Sequence, residues 1–400
     1  MPSTPQLHLP DPGGIVIHAS GALAMTQHFL SDLGLRAAAH CQAQPGAAGA
    51  HAALTPGFAA SYLPDHDTTG VARALSLRTD ANDADLDREI VLAMLASPVA
   101  FAFPTVAELE SAVRIRRYIV RAAAKTALAF DTEHAERPED YWTYDEARGF
   151  TVLPGRSLID GLRKATQPEA SGQLYAFSCY RATEYVTVLG IAQELRDANP
   201  ELGRRLQRQW ETRAVMSGSF HETFLQEYGA LDAPLPQRFY VPGDRLWFRN
   251  PDAASSDVEG YEGSWVFYLG GGLFNNFWER GAPYTLASKC VEIFHWRHGL
   301  RADAAGKPFI DEAIVKEHVH RTLADPEATA AVLARMMRIR DPQGVYAEGG
   351  CLDATRERVR WVRPGHSDIV LPDFPRPAAS RSFAARPRIT LAHRLTRGVS

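Results

Sequence analysis

The pattern of apolar positions predicts helices on both sides of a central group of strands. Apolar residues recur at helical spacing from Asp85 to a stop at Ser97-Pro98, and a second helix follows Thr105-Val-Ala-Glu108, which has the spacing of a capping box. Three apolar runs bounded by Gly and Pro turns predict a strand meander: Leu246 to Phe248, Trp265 to Leu269 and Leu273 to Trp278. Helical spacing returns in two later segments, Leu286 to Trp296 and Asp311 to Met337.

One further predicted helix begins at a cysteine. The extended run that starts at Leu174 gives way to helical spacing, with Cys179 in the first turn and Asn199-Pro200 at the end. The unpaired N–H groups and the positive dipole of a helix start favour a thiolate, so we expect the pKa of Cys179 to lie below its ordinary value of about 8.5. Cys179 is therefore a candidate nucleophile. The alternative is a structural cysteine, because free cysteines are among the most buried residues.

This order of elements predicts an α+β fold in which the Cys179 helix packs on an antiparallel sheet. The predicted divisions are an N-terminal extension over 1–85 with an irregular Ala-, Gly- and Pro-rich insertion at 37–60, a core over 86–300, a helical extension over 301–372 and a basic Pro-, Ala- and Arg-rich tail over 373–400.

Composition narrows the class of protein. The chain has 400 residues, of which 45% are hydrophobic, enough to fill a sizeable interior. Its net charge of -4 provides no overall attraction to nucleic acid or to an acidic membrane. We recognise neither a signal segment nor a membrane span, and the four scattered cysteines fit a reducing compartment. We therefore expect a cytoplasmic protein that binds neither nucleic acid nor membrane.

Four separated motifs carry a resemblance to a known family. They are Arg121-Ala-Ala-Ala-Lys-Thr126, Tyr141-Trp142, Tyr175-Ala-Phe-Ser-Cys179 and Gly243-Asp-Arg-Leu-Trp-Phe-Arg-Asn-Pro251. In this order they resemble the bacterial spore-coat type of protein-glutamine gamma-glutamyltransferase, or transglutaminase, over residues 98–299. A cysteine on a helix, followed by Pro-Gly-Asp and an apolar strand that ends at Leu269-Gly270, also resembles the NlpC-like cell-wall peptidases. Both resemblances imply a papain-like core.

The resemblance implies acyl transfer through a thioester. A thiolate attacks a glutamine carboxamide, ammonia leaves, and a lysine amine, another amine or water resolves the intermediate. The partners would be protein substrates, with no cofactor and no metal. Such chemistry needs a nucleophile, a proton shuttle and an oxyanion site. Cys179 would supply the first, and its own backbone N–H is a candidate for the third.

The proton shuttle is where the chain departs from the resemblance. Ser264 stands where the transglutaminases place a glutamate and the peptidases a histidine, and Asn276 occupies a third polar position that is often histidine. Ser178 stands where the spore-coat enzymes carry an additional glutamate. Serine and asparagine do not titrate in the useful range, so three expected titratable groups are missing.

Two other residues are candidates for the missing shuttle. Glu262 lies two residues before Ser264 and points to the same sheet face if strand pairing continues through Gly263; its alternative is a solvated carboxylate in an acidic loop. His221 is the second candidate, because imidazole is a natural partner of a thiolate; its alternative is a surface histidine at a helix start.

The sequence therefore predicts Cys179-dependent transglutamination or deamidation of protein glutamine. The alternative from another class is a catalytically inactive binding or scaffold protein. A third interpretation, a peptidase acting on a cell-wall amide, would require export.

Histidines near the C-terminal side of the core do not predict a metal site. His295 and His298 are three residues apart, which we interpret as a pair at a helix end. His318 and His320 are two apart on a predicted helix and should diverge.

Overall fold

A computed structural model describes residues 13–44, 49–131, 134–340 and 350–372. Its helices are α1 Ala22–Asp32, α2 Pro56–Tyr62, α3 Val71–Ala74, α4 Asp83–Leu95, α5 Val106–Lys125, α6 Leu158–Thr166, α7 Pro168–Ser171, α8 Cys179–Ala198, α9 Pro200–Thr212, α10 Ser217–Phe224, α11 Ala253–Ser256, α12 Leu286–Gly299, α13 Glu312–Ala324 and α14 Pro326–Met336. The basic tail predicted for 373–400 lies outside the described residues.

The strands fall into one six-stranded sheet, one four-stranded sheet and three pairs. They are β1 Gly14–Ile17, β2 Ala39–Ala43, β3 Ala50–Leu54, β4 Ala100–Phe103, β5 Ala129–Phe130, β6 Trp142–Asp145, β7 Gly149–Val152, β8 Ala176–Phe177, β9 Leu225–Tyr228, β10 Arg245–Arg249, β11 Gly263–Gly270, β12 Leu273–Phe274, β13 Tyr284–Thr285, β14 Leu300–Ala302, β15 Pro308–Ile310 and β16 Arg356–Val359. Helices and sheets are therefore mixed, which confirms the α+β class.

The six-stranded sheet has the antiparallel order β13-β12-β11-β10-β16-β9. Helix α8 packs on β11 of this sheet and on α5. Most of α8 between Ala182 and Leu195 is buried, as expected of a helix enclosed on several sides rather than one with a solvent face. The start of α8 is thereby held against the sheet.

The N-terminal part of the chain contains more regular structure than the sequence indicates. Strands β2 and β3 lie in the segment expected to be irregular, and they join β1 and β4 in the order β2-β3-β1-β4. These strands are rich in alanine and carry little contrast between their two faces, so the alternation that reveals a strand is missing. The predicted helix before Ser97-Pro98 is present as α4.

Helix α5 begins at the predicted Thr105 cap, whose Oγ1 accepts the Glu108 N–H at 3.2 Å. The Glu108 carboxylate does not close a capping box. It accepts the N–H groups of Val362 and Arg363 at 2.8 and 3.1 Å, and so ties the C-terminal segment to the core.

The chain after residue 300 contributes to the main sheet. Strand β16 lies between β10 and β9, where Glu357 pairs with Arg245. Helices α13 and α14 pack on α12. The helical pieces expected from Asp311 to Met337 are α13 and α14, which meet at Asp325, whose side chain caps α14. The domain boundaries inferred from composition remain a prediction.

Long-range packing also brings two cysteines together. The sulfurs of Cys290 and Cys351 are 3.4 Å apart in a fully buried position, although the sequence suggests no pairing; all four cysteines are free thiols.

Among the described residues, no helix is long and apolar enough to cross a membrane.

Candidate active site

Cys179 is the first residue of α8 and lies, partly exposed, in the wall of a cavity of about 620 Å³. The N-cap is Ser178, whose Oγ accepts the Arg181 N–H at 3.3 Å. The cavity is lined by Phe130, Cys179, Gly260, Tyr261, Gly263, Ser264, Asn276, Trp278, Glu279, Tyr284, Ser288, Lys289, Glu292, Trp296, Glu312, Val315, Lys316, Val319, His320 and Leu323. Helix α8 and strand β11 form one wall, and α12 and α13 form the wall opposite.

The Cys179 thiol has a higher pKa than the helix start predicts. Desolvation raises the pKa, whereas the backbone N–H groups of Trp265 and Tyr180, which hydrogen bond to the sulfur, and the charge of Lys289 act to lower it. The charge of Glu262 acts to raise it. The expected downward shift is therefore outweighed by loss of water around the sulfur, and the resting thiol needs a base to release its proton.

A buried arginine positions the two backbone donors. Arg245 of β10 lies 3.8 Å from the ring centroid of Trp265 and 4.7 Å from that of Tyr180. Its Nε donates to Thr183 Oγ1 of α8 at 2.7 Å, and its Nη1 pairs with Glu357 of β16. Because this guanidinium, carried by β10, contacts α8 and strands β11 and β16, the start of α8 has a defined position relative to β11.

The strand pairing that the sequence argument assumes between Glu262 and Ser264 is present. The Asn250 N–H donates to the Glu262 carbonyl at 3.0 Å, so pairing between β10 and β11 continues past Gly263. The two residues therefore share a sheet face. Ser264 is buried in the cavity wall, whereas Glu262 is exposed beside it.

Asn276 lines the cavity, but its amide is used to shape the chain after β12. Its Oδ1 accepts the N–H groups of Trp278 and Glu279 at 3.0 and 3.2 Å, and its Nδ2 donates to the Ala282 carbonyl at 3.2 Å. The sequence predicts a strand from Leu273 to Trp278, but in the structure β12 already ends at Phe274 and this turn follows it. Asn276 is thus a turn-forming residue in this structure.

His221 joins the ion pair between Arg245 and Glu357. Its Nδ1 lies 2.9 Å from Oε1 of Glu357, and this hydrogen bond raises the pKa of the imidazole. His221 is not among the described residues that line the cavity. Cys179, Ser264 and Asn276 therefore line one cavity. Glu262 lies next to that lining in the chain without being one of the described lining residues, and His221 is held on the Glu357 carboxylate of β16.

The wall opposite Cys179 carries a buried lysine that sequence analysis missed. The side chain of Lys289 is 3% exposed, and its Nζ lies 2.6 Å from Oε2 of Glu292. Tyr284 donates its hydroxyl to Oε1 of Glu292 at 2.9 Å, and its ring centroid lies 4.1 Å from Nζ of Lys289. Lys289 directly follows the Thr285-Ser288 capping box and so lies in the first turn of α12, where the helix dipole disfavours a positive charge. That local conflict is a signal that could have singled out Lys289.

A second carboxylate on this wall is Glu312 of α13. Tyr261 donates its hydroxyl to Oε1 of Glu312 at 2.6 Å, and desolvation in the cavity raises the pKa of this carboxyl. His320 and Lys316 line the same wall.

A family model for protein-glutamine gamma-glutamyltransferases matches residues 68–370. The chain belongs to this family. A similar solved structure is the transglutaminase from Geobacillus stearothermophilus (without C-terminal extension), which is 19% identical, with a TM-score of 0.36 over 54% of this chain and 98% of that chain. Among curated proteins, no match to the chain is found.

Membership of the protein-glutamine gamma-glutamyltransferase family gives the general reaction, acyl transfer on protein glutamine, and the general substrate class, proteins. The family region extends well past residue 300 and includes α13, α14 and β16. The titratable wall opposite Cys179 is therefore part of the family region of this transglutaminase-like chain.

One group of histidines lies apart from the residues that line the cavity. His318 of α13 stacks on His298 of α12, with ring centroids 4.8 Å apart, and lies 5.3 Å from the ring of His295. The interpretation of His295 and His298 as an isolated helix-end pair is wrong, because packing of α12 on α13 adds a third imidazole. His320 lines the cavity instead, so His318 and His320 diverge as predicted.

Proposed function

We propose that this chain is a cysteine-dependent acyltransferase that forms a thioester between Cys179 and a protein glutamine. The observation that carries the proposal is the thiol at the start of α8, in a cavity wall, with the N–H groups of Tyr180 and Trp265 directed at its sulfur. Backbone N–H groups fixed beside the sulfur can donate hydrogen bonds to the carbonyl oxygen, and so stabilise the negative charge that develops there when the sulfur attacks. We further propose that the arrangement is papain-like and of the spore-coat type.

In the first half of the reaction, the Cys179 sulfur attacks the glutamine carbonyl carbon. A carbon–sulfur bond forms, the carbonyl electrons move to the oxygen, and the N–H groups of Tyr180 and Trp265 stabilise that oxyanion. The thiol proton passes to a base and then to the carboxamide nitrogen, which leaves as ammonia. The product of this half is the thioester.

In the second half, a lysine amine or water attacks the thioester carbon. The carbon–sulfur bond breaks, and the proton of the attacking group returns to the Cys179 sulfur through the same base. An amine yields a cross-link, and water yields glutamate.

We assign the proton shuttle to Glu262. Its carboxylate lies on the same sheet face as Ser264, and its charge acts on the Cys179 sulfur. His221 is the less favoured candidate, because its imidazole is already hydrogen bonded to Glu357. Lys289 would stabilise the thiolate across the cavity, since its charge lowers the pKa of Cys179. Glu292 and Glu312 are suited to attract a cationic amine acceptor to the same space.

A second candidate function is a catalytically inactive binding or scaffold protein. The specific observation that favours it is the local use of the groups at two expected catalytic positions. Ser178 caps α8 and Asn276 shapes a turn, and neither group titrates near neutral pH. In that case the cavity would bind a polypeptide without acyl transfer.

Ammonia release from glutamine-containing proteins distinguishes the two functions. Wild type should release ammonia, and an added primary amine should be incorporated at the expense of free glutamate formation. Cys179→Ala should abolish both, whereas Cys41→Ala, which removes another partly exposed thiol, should retain them. Equal signals from wild type and Cys179→Ala across a broad set of protein donors would support the scaffold function instead.

A further inference from the structure

Three imidazoles converge where the C-terminal half of α12 meets α13. Nδ1 of His295 lies 2.8 Å from Nδ1 of His298, and one ring nitrogen from each of His295, His298 and His318 lies within 4.8 Å of the others. His295 is buried, His318 is half-buried and His298 is exposed, so the group reaches from the core to the surface. Two of its members come from α12 and the third comes from α13.

The buried member of this histidine group is oriented by a hydrogen bond. Nε2 of His295 lies 2.7 Å from Oγ1 of Thr322, one turn after His318 on α13. The tautomer that donates from Nε2 to Thr322 keeps a lone pair on Nδ1, directed towards His298. Metal-binding histidines are commonly held in this way by a hydrogen bond from the other ring nitrogen.

The charges around the histidine group leave room for a cation, because the arginines nearest to it are held by carboxylates. Two nearby cations are paired, Arg297 with Asp252 at 3.7 Å and Arg321 with Glu317 at 2.8 Å.

We propose that His295, His298 and His318 bind one divalent transition-metal ion of the zinc class, with water in the open position. Three imidazoles and a water form a common tetrahedral zinc site, in which Zn–N bonds of about 2.0–2.1 Å place the nitrogens about 3.4 Å apart. The present separations bracket that value. Small rotations of His298 and His318, which are the more exposed side chains, would equalise them.

The proposed ion would join the two helices that form the wall opposite Cys179. Helix α12 carries Lys289 and Glu292, and α13 carries Glu312. Because both helices would bind the same ion, the distance between α12 and α13 would be fixed near the C-terminal end of α12, whereas Lys289 lies near its N-terminal end. The site is separate from the thiol chemistry, so it stands whether or not Cys179 transfers acyl groups.

Titration of the full chain with Zn²⁺ alone tests the site. The protein should be free of any affinity tag and stripped of metal, with binding followed by calorimetry and by the absorption of Co²⁺ as a spectroscopic substitute. We expect one ion per chain, a cobalt spectrum without a thiolate charge-transfer band, and an upward shift of the melting temperature with added Zn²⁺. His298→Ala and His318→Ala should each weaken binding at least about tenfold and remove the shift.

His320→Ala is the matched control, because it removes a histidine of the same helix that lies outside the group. It should bind Zn²⁺ as wild type does. Both test variants replace side chains that are at least partly exposed, and circular dichroism of each would verify the fold. The proposal is overturned if wild type does not bind Zn²⁺, if the double variant His298→Ala and His318→Ala binds as tightly as wild type, or if His320→Ala removes binding equally.

Discussion

The two walls of the cavity present different kinds of polar group to the space between them. The wall formed by α8 and β11 presents Cys179, the buried Ser264 and backbone N–H groups. The wall formed by α12 and α13 presents ionisable side chains, among them Lys289 and Glu312. The nucleophile and the lysine whose charge lowers its pKa thus come from different elements of the fold, α8 and α12.

This difference indicates that the pKa of a nucleophilic cysteine can be changed by substitutions on neighbouring elements while the cysteine itself stays in place. The backbone donors at a helix start depend on local geometry and persist whatever side chains surround them. The charge that tunes the thiol can come from any element that lines the cavity. In this chain Lys289 supplies it from the facing wall, and Glu262 acts from the end of β11.

The largest expected effect is that of Glu262→Gln, which should lower acyl transfer by about 10² to 10⁴ if this carboxylate moves the proton. The fold should be unchanged, because the side chain is exposed. Steady-state ammonia release measures the loss, with Glu259→Gln, an exposed carboxylate of the same loop, as the control. Equal activity of both variants would contradict the role of Glu262, and the base would then be sought among the ionisable side chains of α12 and α13.

Glu89 of α4 is a buried carboxylate next to the turn after β11, and we expect its role to be structural. It accepts the Gly271 N–H at 2.8 Å after β11, and desolvation raises its pKa to about 7. Since the folded pKa exceeds the unfolded one, its contribution to stability is greatest below about pH 4.5, falls until about pH 7 and is then constant. Glu89→Gln should therefore reduce the loss of stability between pH 5 and 8 by up to about 3 kcal/mol in urea unfolding.

The control for Glu89 is Glu110→Gln on α5, whose side chain is 44% exposed. It should leave the pH dependence of unfolding as in wild type. A Glu89→Gln variant with the wild-type pH dependence would contradict the account of this carboxyl.

Lys289→Met tests the facing wall directly. Removal of its charge should raise the pKa of Cys179 and slow alkylation of this thiol near neutral pH, roughly tenfold for each pKa unit. Peptide mapping after limited treatment with iodoacetamide gives the rate at Cys179. Lys316→Met removes a lysine from the same wall whose side chain is 67% exposed, and should have little effect. Comparable rates in all three proteins would show that the two walls are electrostatically independent.

The smallest effect is expected for His221→Ala. The imidazole pairs with Glu357, which Arg245 also holds, so acyl transfer should change little and stability should fall by about 0.2–1 kcal/mol. Because Glu357 raises the pKa of His221, this stabilisation is present below the ordinary histidine pKa and is lost as the pH rises through the raised value. A loss of activity as large as that of Glu262→Gln would make His221 the shuttle.

Sequence alone predicts the parts of this site that depend on local pattern. The start of α8, the cap at Thr105 and strands β10 and β11 follow from helical spacing, cap residues and turn signals. Strands β2 and β3 do not, because their alanines carry no periodic contrast.

Contacts between distant segments are harder to predict. The insertion of β16 between β10 and β9, the approach of Lys289 to the cavity of Cys179 and the meeting of His318 with His295 each depend on tertiary packing. A pattern within one window does not reveal such partners. The Cys179 pKa was mispredicted for the same reason, since desolvation depends on what covers the thiol.

The most direct test of the central claim is to trap the thioester. Wild type is mixed with a denatured glutamine-rich protein in the absence of amine, quenched in acid, and examined by mass spectrometry for a covalent adduct. We predict an adduct that hydroxylamine cleaves, that maps to Cys179, and that forms with Cys41→Ala but not with Cys179→Ala. Absence of any adduct from wild type under conditions where the thiol is alkylated, or its persistence in Cys179→Ala, would contradict acyl transfer through Cys179.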